Sequence, residues 1–223
     1  MSVLSIKKLT TFPLSFLKVY TPLWLVVFII LIAADLGSKL WMTDHLNYNL
    51  AVHQQPAAPA DITARYDGRD QINLIGENGR LVKFRLVFND RFVFGSGPSA
   101  PVLGLFITLG AIVFLVFYRW HNPLLGHSIA WLFVFSGAFG NLIDKMFVKS
   151  VADRSWLFSI GPKPGYVSGV VDFVECIWFG WDRVQDTFIV SFLSWNTWPT
   201  FNLADSLIVV GIGILIFTMR EKA

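Results

Sequence analysis

Ser136-Gly137-Ala138-Phe139-Gly140-Asn141-Leu142-Ile143-Asp144 is the stretch on which the fold turns. It closes an apolar run that opens near Pro123, and about 20 such residues are what a helix needs to cross a bilayer. Its last turn is polar. Asn141 and Asp144 stand at i and i+3 on one helix face, and Lys145 follows. Ser136 and Gly140 form a small-xxx-small pair that lets a second helix approach closely and hold those polar groups against a neighbour. Ionisable residues at the end of a span are costly and are functional candidates. Helix termination plus an ion pair is the competing reading.

Three further runs repeat the pattern, at about 21–42, 100–118 and 201–219. With 123–143 they predict four transmembrane helices in a single integral membrane domain covering 1–223. Composition agrees: 54% of the 223 residues are hydrophobic, and the mean hydropathy is +0.57. Pro22 is acceptable in the first turn of its helix. The first run is too long for a cleavable signal peptide and continues into Asp35…Lys39 instead of a small-residue cleavage site. The net charge of +3 is mild and no Lys/Arg-rich run points to nucleic acid. A single cysteine, Cys176, excludes an internal disulfide framework and a multi-cysteine metal site.

The connections are unequal. Arg119 to Asn122 is a short loop, whereas about 44–97 and 146–200 are long and fall on one side of the membrane. In the first long segment Val82, Phe84, Leu86 and Phe88 alternate with Lys83, Arg85 and Val87. With Ile72–Ile75 and the intervening Asn78-Gly79 this predicts a β-hairpin, a small sheet over the membrane face. The second segment is aromatic: five of the nine tryptophans fall in 151–200, as suits a membrane interface. Lys7, Lys8, Lys18, Arg119, Arg220 and Lys222 mark the expected cytoplasmic face. The long segments carry more positive residues than this face does, but long segments translocate largely regardless of charge. They are therefore expected outside.

Polar residues recur at the span ends. Asp35 and Lys39 are i and i+4, acid before base, and read first as an interfacial ion pair anchoring the helix end. Asn202 and Asp205 are i and i+3 at the start of the last span, where Asn202 suits an N-cap and Asp205 the third helical position. Such a cap also fixes Asp205 at the membrane surface. Asp172 sits inside the apolar Gly169-Val170-Val171-Asp172-Phe173-Val174, as a solvent-facing loop acid or as a buried carboxyl that tends to hold a proton. If Asp172 and Asp205 meet, they share a proton and one can act as base and the other as acid. The four histidines, His45, His53, His121 and His127, give no zinc-ligand spacing, and neither a Gly-x-Ser-x-Gly elbow nor a phosphate loop is present.

Asp35-Leu36-Gly37-Ser38-Lys39, Gly140-Asn141-Leu142-Ile143-Asp144, Val170-Val171-Asp172-Phe173 and Phe201-Asn202-Leu203-Ala204-Asp205-Ser206, in that order at those span ends, resemble the motif set of bacterial lipoprotein signal peptidases. The resemblance covers roughly half the chain. It implies an aspartic endopeptidase (signal peptidase II) of the bacterial inner membrane, with its site at the extracytoplasmic face. The substrate implied is a lipidated prolipoprotein, cut before a diacylglyceryl-modified cysteine. Asp172 and Asp205 become the catalytic pair, supported by Asp35, Lys39, Asn89, Asn141, Asp144, Lys145, Asn202 and Ala204. Neither a metal nor an organic cofactor is implied, and globomycin is the implied inhibitor. Three departures stand out. Arg91 and Phe92 replace a glycine and a small residue in Asn89–Gly95, Lys145 stands where arginine is usual, and Met146 to Gly169 looks inserted, as a lid or partner surface. Two other readings fit some of these residues: a proton- or ion-coupled transporter, and a non-catalytic relative that binds lipoproteins.

Overall fold

The computed structural model describes residues 21–46, 71–76, 81–90, 100–122, 126–150, 153–177 and 198–220. They form helices α1 (Pro22–His45), α2 (Pro101–His121), α3 (Ser128–Lys145) and α4 (Leu203–Arg220). They also form strands β1 (Ile72–Ile75), β2 (Val82–Asn89), β3 (Phe147–Ser150), β4 (Trp156–Phe158), β5 (Tyr166–Val167) and β6 (Val170–Cys176). The expected all-α class is thereby corrected: the protein is a mixed helix and sheet structure with two three-stranded sheets.

α1 and α2 are long and apolar enough to cross a membrane. Their exposed side chains include Leu23, Ile30, Phe106 and Phe114, a surface suited to hydrocarbon and not to water. Thr21 caps α1 by accepting from the Trp24 N–H (3.2 Å), and Pro22 takes the first helical position, where no N–H is needed. α2 runs on through His121, so part of the expected 119–122 loop is helix.

α3 lies at the centre and packs against α1, α2 and α4. Its position explains why Trp131, Val134, Phe135 and Leu142 are all buried. Close approach to α4 comes from glycine, although not from the Ser136–Gly140 pair alone. A Cβ on Gly137 would stand 2.3 Å from the Ala204 carbonyl oxygen and 2.8 Å from Ile208 Cγ1. One on Gly211 would stand 2.7 Å from the Ala130 carbonyl oxygen, and one on Gly140 2.6 Å from Asp35 Oδ2. Backbone cannot give way as a flexible side chain can. Gly137→Ala is therefore expected to destabilise the protein by about 1–3 kcal/mol, read as a lower Tm in detergent.

β1 and β2 pair antiparallel, with Ile72 opposite Phe84, as the alternation requires. The Asn78-Gly79 turn lies outside the described residues. Leu86 and Phe88 point into a core with Met42, Leu46, Val167, Val171 and Phe173, which seats the sheet on the end of α1. The third strand of this sheet is β6, antiparallel to β2 with Val87 opposite Asp172. The segment expected as an insertion forms the second sheet, order β4-β3-β5, which continues directly from the end of α3. Of the Asn89–Gly95 loop, Arg91, Phe92, Phe94 and Gly95 lie outside the described residues.

Candidate active site

Where α3, α4 and β6 converge, a cavity of about 590 Å³ opens. Asn89, Asn141, Lys145, Asp172, Asp205 and Ser206 supply most of its polar lining, and Trp198, Phe201, Ile208 and Val209 part of its apolar lining. Asp172 is not a loop acid. It sits within β6 and is 3% exposed. Asp205 is half-buried in the first turn of α4.

The helix cap expected from Asn202 and Asp205 is present and reciprocal. The Asp205 N–H donates to Asn202 Oδ1 (2.9 Å), and the Asn202 N–H donates to Asp205 Oδ2 (3.2 Å). Capping does not exhaust either side chain. Asn202 Nδ2 donates to Asp172 Oδ1 (2.7 Å) and faces Asn141 Oδ1 (3.2 Å) and the Val171 carbonyl (3.3 Å). Asn141 Nδ2 donates to Asp205 Oδ1 (2.8 Å), and Asn89 Nδ2 donates to Asp172 Oδ2 (3.1 Å). Two asparagines thus join the two carboxyls, and each carboxyl keeps lone pairs for the cavity. Burial holds the Asp172 carboxyl well above the usual carboxylate range. The Asp205 charge adds to this, while Lys39 and the Asn89 and Asn202 amides act against it.

Beneath the pair lies a buried ionic layer. Lys39 was expected in an interfacial ion pair, but it is fully buried. Its ammonium has three donors and three acceptors around it: Asp35 Oδ2 (2.8 Å), Asn141 Oδ1 (2.9 Å) and Asp144 Oδ2 (3.3 Å). Asp35 uses its other oxygen to accept the Ala204 N–H (2.9 Å), so α1 supplies an anion to the N-terminus of α4. Asp144 Oδ2 also accepts the Val171 N–H (2.8 Å), fixing the residue before Asp172. Lys145 Nζ reaches Thr108 Oγ1 on α2 (2.8 Å) and lines the cavity.

One member of this layer was missed by sequence reading. Lys149, on β3, pairs with Asp144 and is fully buried. Nothing in its local pattern marks it, since a lysine in a short strand normally faces solvent.

Asn202→Ala removes the cap and the donor to Asp172 together. The expected result is a loss of about 1 kcal/mol in stability and a lower kcat. The kcat of the purified variant against its Tm separates the two effects. Among the described residues no three His, Cys, Asp or Glu side chains are grouped to hold a metal ion.

A solved chain described as a bacterial membrane enzyme shares the fold at TM-score 0.53, with 17% identity over 91% of this chain and 90% of that one. The lipoprotein signal peptidase of Leptospira biflexa is 43% identical over 163 residues, 72% of this chain and 79% of the relative. That of Treponema denticola is 30% identical over 156 residues, 65% of this chain and 73% of the relative. The family model for signal peptidase (SPase) II matches residues 27–220, a range that takes in most of α1, both sheets and the whole of α4 with every carboxyl and amide described above. The chain therefore belongs to the signal peptidase II family.

Proposed function

We propose that this protein removes signal peptides from lipidated prolipoproteins, cleaving before a diacylglyceryl-modified cysteine, and that Asp172 and Asp205 are its catalytic pair. The observation that carries the reading is that Asn202 and Asn141 join both carboxyls at one cavity whose wall is otherwise largely apolar. An apolar wall suits the acyl chains and signal sequence, and the polar lining suits the scissile peptide. α1 to α4 are read as four membrane spans, with both sheets and the cavity at the extracytoplasmic face of a bacterial inner membrane. Both long connections leave the helices at that end. Eighteen residues in each of α3 and α4 give about 27 Å of rise, close to the hydrocarbon thickness.

The chemistry follows from the shared proton. Two carboxyls at one cavity cannot both ionise cheaply, so the pair carries one proton, and burial biases it toward Asp172. The ionised carboxylate takes a proton from water as its oxygen attacks the scissile carbonyl carbon. The protonated carboxyl donates to the carbonyl oxygen. The resulting diol collapses, the C–N bond breaks, and the departing amine of the lipidated cysteine takes a proton from the pair. Lys145 supplies positive charge beside the cavity. A globomycin-type inhibitor is expected to compete for the same space.

Purified enzyme is to be offered one prolipoprotein with and without its diacylglyceryl group. Cleavage of the lipidated form alone is expected; equal cleavage of both, or of neither, overturns the substrate assignment. The rate should be bell-shaped in pH. It falls on the acid side as the pair takes up a second proton. It falls on the alkaline side only above the usual carboxylate range, because the Asp172 carboxyl is raised.

A further inference from the structure

The structure assigns Lys149 a positioning role: it is the counter-cation that locks Asp144 and, through Asp144 and Gly169, sets the strand that carries Asp172. This inference rests on the reading of Asp172 as a reacting group. Lys149 belongs to the second sheet, in the segment from Met146 to Gly169 that departs from the family pattern as an insertion, and neither the sheet nor the lysine enters the peptidase chemistry above.

Four observations converge on Lys149. Its side chain is 0% exposed. Its ammonium pairs with the Asp144 carboxylate and donates to three further oxygens, the Gly169 carbonyl (2.7 Å), the Asp144 carbonyl (3.0 Å) and the Phe147 carbonyl (3.2 Å). The Trp156 ring lies 4.7 Å from the ammonium and closes the remaining side as a cation–π contact. Gly169, whose carbonyl Lys149 holds, immediately precedes β6 and adopts φ +112°, with its Cα packed so that a Cβ would meet Asn89 and Asp90 backbone at 2.7 Å. Lys149 therefore touches both supports of β6 near Asp172: the backbone turn that starts the strand, and the Asp144 carboxylate that receives the Val171 N–H (2.8 Å).

Charge counting gives the reason a cation is needed. Asp35, Lys39, Asp144 and Lys149 alternate in sign along one buried chain of contacts. Without Lys149 the layer carries an uncompensated carboxylate in a low-dielectric site, which is strongly unfavourable. Asp144 then relaxes by protonation or by turning away, and either change weakens its hold on Val171. Displacement of a reacting group by about 1 Å can lower a rate by 10²-fold.

The test is a cycle on purified enzyme with lipidated prolipoprotein: Lys149→Met, Asp144→Asn, and both together, with Asp172→Asn alongside. Lys149→Met is expected to lose about 10²-fold in kcat per folded molecule with KM unchanged. The double variant, again charge-balanced, should have a higher kcat than either single variant. Wild-type kcat in Lys149→Met, or losses that simply multiply in the double variant, overturns the role. A lysine that serves folding alone lowers the yield of monodisperse enzyme and leaves kcat per folded molecule unchanged. If Lys149→Met does not accumulate, recovery of folded, active enzyme in the double variant supports the pairing, and failure of both variants overturns it. Activity in Asp172→Asn marks failure of the catalytic reading itself, separately from Lys149.

Discussion

Asp172→Asn should abolish measurable cleavage, lowering kcat by about 10³-fold or more, at the upper part of what acid–base groups contribute. Asp205→Asn should match it. The change is nearly isosteric, so lost packing does not explain the loss. Its effect is electronic. An amide at 172 can neither take a proton from water nor share one with Asp205. The new NH₂ also faces Asn89 or Asn202, whose amide nitrogens both donate to the native carboxyl, so one donor is left opposite another. KM should change less than kcat, because the apolar wall of the cavity is untouched. Stability should respond through its pH dependence. The folded-state pKa of Asp172 is raised above its unfolded value, so its contribution is fully present below the unfolded pKa and is lost as pH rises through the folded one. Asp172→Asn removes that dependence. The Tm of the variant relative to wild type should therefore rise with pH between the unfolded and the folded pKa, on top of a constant loss from the two facing donors. A Tm difference that is flat in pH counts against the buried carboxyl as described.

Lys39→Met should have the largest effect on stability, a loss of about 3–5 kcal/mol. Removing this ammonium leaves Asp35 and Asp144 facing one another across a dry junction of α1 and α3, with only Lys149 still paired to the latter. For a chain of this size the loss corresponds to a fall in Tm on the order of 10 °C, measured by thermal unfolding in detergent. Lys39→Arg should rescue little. A planar fork suits two parallel acceptors, whereas Asp35, Asn141 and Asp144 converge on a point charge. Asp35→Asn added to Lys39→Met should recover part of the loss by removing one of the stranded charges. A Lys39→Met protein with wild-type Tm would mean that the layer is wetter than its burial indicates.

Local signals were the legible part of this chain. Apolar length marked all four helices. The period-2 alternation of Val82 to Phe88 marked the hairpin, and the three-residue spacing of Asn202 and Asp205 marked the cap. Each depends on neighbours in sequence. The reciprocal hydrogen bonds of the cap could be written down from spacing alone, because the helix geometry between the two residues is fixed. What could not be read is pairing at a distance. Val170–Cys176 is a short apolar run with no alternation, and periodicity does not distinguish a buried strand of that kind from other apolar segments. Its place beside β2 depends on contacts between residues about 90 apart, so the sequence leaves Asp172 open between a solvent-facing loop acid and a buried carboxyl. Lys39 was misjudged for a related reason. The i, i+4 spacing to Asp35 was right, but its burial is set by Asn141 and Asp144 on another helix. Lys149 carried no signal at all, because what makes it unusual is the carboxylate waiting inside the fold.

β6 is the outer strand of its sheet, and the free side of an outer strand is normally an invitation to another chain. Here that side is already taken. The Val171 N–H goes to Asp144 and its carbonyl to Asn202, the Phe173 and Val174 N–H groups go to the Phe201 carbonyl, and the Cys176 carbonyl takes the Trp198 N–H. A bound peptide therefore cannot zip onto this strand as an additional rung of the ladder. On the proposed reading the hold falls to the lipid and to the few side chains that enter the cavity, which would make the enzyme demanding about the acyl anchor and selective for the residues beside the cut.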